Sequence, residues 1–299
     1  MNAQKLTLGP LVYNWQPETR RDFYFRIADE APLDEVYLGE IVCAKREPFY
    51  ESDIDEIKSR LERAGKRVHC TTLALITSPR ERQALERKSQ MDWLLEANDI
   101  SAVKLLKGKP FIIGPHITAL NEGTLGVLVK QGARRIVFAS EISGDAMAKL
   151  AAAFPALETE AQVFGRQSVA VSMRCYHTRS VGRDKDHCRI ACGDSPYMVP
   201  VETLDKQPIW TIAGTQTLSA GTLVLGNELE DMAKAGISHF RLAPQEGDMI
   251  AVAKCYRELL DGTREPESLL PALKEIMPSL QPINGFYYGV EGCRWEGKQ

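Results

Sequence analysis

Short runs of apolar, β-branched residues alternate along this chain with segments whose apolar positions recur at helical spacing. Continuous runs such as Phe111-Ile112-Ile113 and Ile136-Val137-Phe138 suit parallel strands covered on both faces. The pattern predicts strands near 7–13, 35–40, 67–73, 92–97, 110–114, 135–139, 160–165 and 239–243. Amphipathic helices are predicted between them, over 18–29, 52–64, 79–88, 99–106, 121–131, 144–154, 227–235 and 249–260. Pro17 suits a first helical position, and Ser52 reads as an N-cap. Gly65, Gly132 and Gly236 read as left-handed stops.

Eight strands, each followed by a helix, make a (β/α)8 barrel of TIM type the expected fold, with a doubly wound open sheet as the alternative. The strand starts at 160 and 239 lie too far apart for one barrel unit. An insertion over about 166–226 is therefore expected before the last strand. Its turn residues Gly182, Gly193, Pro196, Pro200, Pro208 and Gly214 predict loops and short antiparallel strands, with 167–173 pairing to 208–213. A tail over about 263–299 carries one short helix near 268–275. It ends in the aromatic run Asn284-Gly285-Phe286-Tyr287-Tyr288-Gly289, expected to pack on the body. The whole chain, 1–299, reads as one barrel-like domain.

Composition narrows the function classes. With 299 residues, 44% hydrophobic and 26% charged, the chain can bury a sizeable core and is not a disordered or fibrous sequence. A net charge of −3 gives no electrostatic case for nucleic acid. No apolar run reaches the roughly 18 residues of a membrane span, and the first residues lack a signal-peptide core. The expectation is a cytoplasmic protein without a transmembrane segment, whose thiols stay reduced.

Seven cysteines are then the most informative residues: Cys43, Cys70, Cys175, Cys188, Cys192, Cys255 and Cys293. Cys175, Cys188 and Cys192 fall within the insertion, in a segment poor in apolar residues. Cys43 follows the second predicted strand. In a parallel barrel the ends of that strand and of the one before the insertion open on the same face. Four thiols on that face suit tetrahedral zinc or a [4Fe–4S] cluster. One close pair and two singles depart from the paired spacing usual for zinc. Independent buried thiols are the third alternative. Between Arg174 and Cys192, five basic residues face two acidic ones, which would offset an anionic cluster. Cys70 and Cys255 read as core thiols, and Cys293 as a free one.

The stretch Glu35-Val36-Tyr37-Leu38-Gly39-Glu40-Ile41-Val42-Cys43-Ala44-Lys45-Arg46 resembles the collagenase-like peptidase family, which has a barrel core. So do Glu96-Ala97-Asn98-Asp99, Lys185-Asp186-His187-Cys188 with Cys192, and Asn227-Glu228-Leu229. The similarity runs over nearly the whole chain and, within the family, is greatest to the smaller member of an anaerobic ubiquinone-biosynthesis pair. That resemblance implies one [4Fe–4S] cluster on Cys43, Cys175, Cys188 and Cys192. It further implies a heterodimer with the larger relative UbiU, and oxygen-independent hydroxylation of a ubiquinone precursor. A non-catalytic iron–sulfur scaffold and a peptidase are the competing functions. The chain has no His-Glu-x-x-His or Gly-x-Ser-x-Gly motif, and no catalytic residue is assigned. Polar residues just past strand ends, expected around the barrel mouth, are Asn14, Glu40, Thr72, Glu96, Asn98, His116, Glu141, Arg166 and Gln245.

Overall fold

A computed structural model describes residues 4–194 and 198–297. Its strands, in chain order, are β1 (Lys5–Leu8), β2 (Glu35–Leu38), β3 (Arg67–Thr71), β4 (Leu95–Ala97), β5 (Phe111–Ile113), β6 (Ala133–Val137), β7 (Glu158–Gly165), β8 (Ser168–Val171), β9 (Val199–Glu202), β10 (Pro208–Ala213), β11 (Gln216–Ser219), β12 (Thr222–Val224), β13 (His239–Leu242) and β14 (Pro282–Ile283). Strands β1 to β7 pair in order and in parallel. Strand β13 closes the ring by pairing in parallel with both β7 and β1. The protein is thus a closed eight-stranded parallel barrel with helices between its strands, as the alternating pattern predicts.

Each barrel strand begins within a few residues of its predicted start. The first ends sooner than expected, at Leu8, because Gly9 and Pro10 follow and proline has no N–H for the ladder. The helix Pro79–Lys88 opens with a full capping box between Ser78 and Glu81. Asp99 and Asn121 cap the helices Ile100–Leu105 and Glu122–Gln131. Ser52 is no cap: the helix Glu51–Arg63 starts one residue earlier, and Tyr50 holds the cap position without a side-chain bond.

Two cores with different chemistry result from strand alternation. Outward-facing residues such as Val36, Leu38, Val68, Cys70, Phe240 and Leu242 pack against the helices in the main apolar core. The barrel interior holds only a small apolar cluster of Tyr37, Ile112 and Val137. Charged and polar side chains fill the rest, including Glu35, His69, Glu96, Arg135, Glu160 and Arg241, each 4% exposed or less.

The insertion adds a four-stranded antiparallel sheet in the order β8-β11-β10-β9. The expected pairing of 167–173 with 208–213 is corrected: β11 lies between β8 and β10. The cause is the two-residue turn Gly214-Thr215, which folds β11 straight back along β10. Gly214 has φ +69°, and a Cβ there would stand 2.6 Å from the Arg46 guanidinium, so both backbone and space call for glycine. Pro196, one of the predicted turn residues, lies outside the described residues. Strand β12 returns antiparallel along the end of β7.

The tail carries the helix Leu269–Ile276 and packs on the body, as its aromatic content predicts. The Gly144 N–H donates to the Tyr287 carbonyl at 2.8 Å, and the Tyr288 hydroxyl to Glu228 at 2.8 Å. No described helix is long and apolar enough to cross a membrane.

Candidate functional site at the barrel mouth

The loop after β2 turns sharply because the Glu40 carboxylate accepts the N–H groups of Val42 and Cys43, at 2.8 and 3.0 Å. This brings Cys43 to the C-terminal face of the barrel, where its thiol is partly covered and burial pushes its pKa up. Arg46, on the same loop, is 1% exposed. Its guanidinium donates to the Val12 carbonyl at 2.8 Å and stands 3.9 Å from Glu40. Burial alone would lower the arginine's pKa, but Glu40, Cys192 and Cys43 together hold it up.

The insertion brings the other three thiols to this face. Cys175 precedes the short helix Tyr176–Ser180 and accepts the Thr178 hydroxyl at 3.2 Å. His177 on that helix is buried, and the helix packs against the turn bearing Cys192. Burial, with Arg46 nearby, lowers the pKa of His177. Between Cys188 and Cys192 the backbone is strained: Arg189 and Ile190 both have positive φ, at 47° and 55°. A β-branched residue there is uncommon. The strain turns the Ile190 N–H onto the Cys188 sulfur, at 3.4 Å. Lys45 donates to the carbonyls of Lys185 and Asp186, clamping the Cys43 loop to the segment just before Cys188.

Lys45 thus ties the Cys43 loop to the segment before Cys188, Asn14 bonds the Cys192 sulfur, and the helix after Cys175 packs against the turn bearing Cys192. All seven cysteines of the chain are free thiols. Among the described residues, no three His, Cys, Asp or Glu side chains stand close enough together to hold a single metal ion. A compact zinc site is not preformed. A [4Fe–4S] cluster makes a different demand, since each thiolate binds its own iron. The donor set suits that group: the sulfurs of Cys175, Cys188 and Cys192 each accept a hydrogen bond, and the buried Arg46 guanidinium adds positive charge beside Cys43 and Cys192. Cys70 and Cys255 are buried in the apolar core with thiol pKa values raised by burial, and Cys293 is exposed.

The predicted mouth residues divide into three groups. Asn14 and Glu40 belong to the thiol region, through bonds to Cys192 and to the Cys43 loop. Thr72, Glu96 and Asn98 are wholly buried; the Asn98 amide donates to Glu96 and to Thr71, both at 2.9 Å. His116 and Arg166 line a cavity of about 60 Å³ at the mouth, and Gln245 with Arg166 lines an outer cleft of about 480 Å³. Glu141 is exposed.

Beneath the mouth lies an ion network that the apolar reading of the strands missed. Arg241 binds Glu96 at 2.5 Å and Glu160 at 2.8 Å, and lies 4.0 Å over the Tyr37 ring. Arg135 binds Glu35 at 2.6 Å and Glu160 at 3.2 Å. Burial would raise the Glu160 pKa, but Arg241 and Arg135 outweigh it and bring the carboxyl down to about 2. Glu35 is held well below the carboxylate range, against its own burial, by His239, His69 and Arg135. Charged residues within predicted strands, Arg135 and Glu160 at the first position and Arg241 in the middle, were the available signal.

Solved structures share a general likeness with this chain. N-acetylneuraminate lyase from Fusobacterium nucleatum is 10% identical, with 90% of this chain and 79% of that one covered and a TM-score of 0.47. A spore coat polysaccharide biosynthesis protein from Bacillus subtilis is 12% identical over 97% of this chain and 74% of that one, with a TM-score of 0.49. The tryptophan synthase complex from Pyrococcus furiosus is 11% identical over 92% of this chain and 99% of that one, with a TM-score of 0.43. At such identities these likenesses bring no activity to this chain. The sequence profile of Peptidase family U32 matches residues 24–296, nearly the whole chain. The chain belongs to peptidase family U32.

Proposed function

We propose that this chain is a UbiV-like iron–sulfur subunit of an oxygen-independent hydroxylase that acts in the cytoplasm, with a UbiU-like partner, on a ubiquinone precursor. The observation that supports the reading is the gathering of the Cys43, Cys175, Cys188 and Cys192 segments at one face of the barrel, through the Lys45 bonds to Lys185 and Asp186, the Asn14 bond to Cys192, and the packing of the helix after Cys175 on the turn bearing Cys192. Those four cysteines would hold a [4Fe–4S] cluster, which supplies one-electron chemistry when bound. Arg46 supplies positive charge beside the thiolates, and Asn14 orients Cys192. The wholly buried network of Glu35, Glu96, Glu160, Arg135 and Arg241 fixes the barrel wall beneath them.

The test is quinone extraction from cells lacking this protein. Aerobic ubiquinone should be normal, while anaerobic cells should lose it and accumulate precursors short of ring hydroxyls. A Cys188→Ala/Cys192→Ala variant should behave as the deletion. Normal anaerobic ubiquinone without such precursors would overturn the reading. The family match favours peptide cleavage as the second reading. Loss of peptide degradation, with quinones unchanged, would support it. Loss of a partner complex alone in the cysteine variants would support a scaffold role.

A further inference from the structure

We propose that the pocket between the helices Pro17–Glu30, Glu51–Arg63 and Pro79–Lys88 is a binding site for a small apolar molecule bearing an uncharged primary amide. The pocket measures about 190 Å³, and roughly 150 Å³ is enough to take up benzene. It lies between these helices and the end of β2, apart from the barrel mouth. Ile54, Met91 and Trp93 form apolar walls. Met91 is 45% exposed, and Ile54 and Trp93 are half-buried, so apolar surface faces water here that a ligand would cover.

Two residues lining this pocket carry buried polar atoms without a bond. Arg20 is 4% exposed; its Nη2 donates to the Gly39 carbonyl at 3.3 Å, and its guanidinium lies 3.9 Å from the Tyr50 ring centre. Its Nη1 has no partner among the described residues. Glu40 is buried as well; its Oε1 accepts the Val42 and Cys43 N–H groups, while Oε2 has no partner among the described residues. Leaving a buried charged group short of a bond is costly. One pocket thus holds an unmet donor and an unmet acceptor. A primary amide answers both, its carbonyl accepting from Arg20 and its N–H donating to Glu40. Arg20 comes from a helix and Glu40 from a loop, so two separate ligand atoms serve them better than the single oxygen of an alcohol.

Charge in the pocket selects against ions. Arg20, Arg87 and Lys88 stand against Glu40, Glu47 and Glu51, and Lys88 is ion-paired with Glu47. A carboxylate ligand would meet Glu40, and an ammonium or amidinium would meet Arg20, each a like charge in a poorly hydrated space. A neutral amide meets neither cost. The pocket requires neither a cluster nor a partner chain.

NMR titration of the full chain, labelled at its Ile and Met methyl groups, with benzamide, benzoate, benzamidine and benzyl alcohol tests the site. Benzamide should saturate at one per chain and shift the Ile54 and Met91 methyls. The three analogues, near to it in size, should each bind at least tenfold more weakly. Arg20→Met should weaken benzamide about tenfold, the effect of losing one hydrogen bond from a charged donor. Ala84→Phe, which fills the pocket from a half-buried position on the helix Pro79–Lys88, should abolish the shifts. The ranking of the four compounds in the unmodified chain keeps the test decisive if either variant fails to fold. Absence of a saturable shift at those methyls, binding of any analogue as tight as that of benzamide, or full benzamide affinity in folded Arg20→Met or Ala84→Phe would each overturn it.

Discussion

The side-chain amide of Asn14 donates to Cys192 Sγ over 3.3 Å, joining residues 178 apart in the chain. Its oxygen accepts the Tyr50 hydroxyl, so both ends of the amide are engaged. Asn14→Asp keeps an acceptor for Tyr50 and removes the donor to sulfur. It should cost about 1–3 kcal/mol in urea unfolding of the metal-free chain. With a cluster loaded, it should also shift the reduction potential downward in a redox titration.

Iron content discriminates among the thiols. Protein purified without oxygen should be brown, absorb near ~400 nm and hold about four irons per chain. Alanine at Cys43, Cys175, Cys188 or Cys192 should lose most of that iron. Alanine at Cys70 or Cys255 should retain it while costing about 1–3 kcal/mol of packing, since both are core residues. Iron analysis together with denaturant melts reads both effects, and stoichiometric zinc in colourless protein would sink the cluster.

Breaking the barrel's ion network should be far more damaging than breaking a surface pair. Arg241→Met leaves Glu96 and Glu160, both 0% exposed, without their shared cation. The expected loss is about 3–5 kcal/mol. Arg26→Ala removes an exposed partner of Glu30 and should cost under about 1 kcal/mol. Equilibrium urea unfolding of the two variants gives the comparison, and similar midpoints would contradict it.

Acid should destabilise the protein in two steps. His116 is depressed from 6.5 to about 4 by burial, so the unfolded chain takes up a proton in that window that the folded one refuses. Stability therefore falls as pH drops from about 6.5 to 4, by up to about 3 kcal/mol. Glu160 is depressed from 4.5 to about 2; its contribution is complete above 4.5 and lost as pH falls toward 2, by a similar amount. His116→Asn should flatten the upper step and leave the lower one. Unfolding free energies measured between pH 7 and 3 show whether it does.

Pairing is tested by co-expression with a larger relative from the same family. A heterodimer should survive size exclusion at micromolar concentration. Full activity of this chain alone, with no complex recovered, would remove the partner from the proposed function.

Periodicity alone determined the eight barrel strands, most helix boundaries and the position of the insertion. These are local properties: a strand covered on both faces must be apolar over a short run, and a helix must repeat its apolar face. The helix-end residues Pro17, Gly65, Gly132 and Gly236 were legible for the same reason, since each acts on its own turn. The candidate thiols were legible as residue types in an unusual segment, and the family followed from motifs spread along the chain.

Tertiary structure decided what long-range bonds control. The order of the inserted strands depends on a two-residue turn at Gly214 that competes with every other antiparallel partner. The ionic interior depends on which face of each strand points inward, and Arg135, Glu160 and Arg241 meet only when the ring closes. Asn14 reaches Cys192, and Lys45 reaches Lys185, across well over a hundred residues. The Gln216–His116 contact forms only because the inserted sheet folds over the mouth. Sequence spacing carries information about neighbours along the chain. Contacts between distant loops are set by barrel closure and by the burial of polar groups that must find partners there.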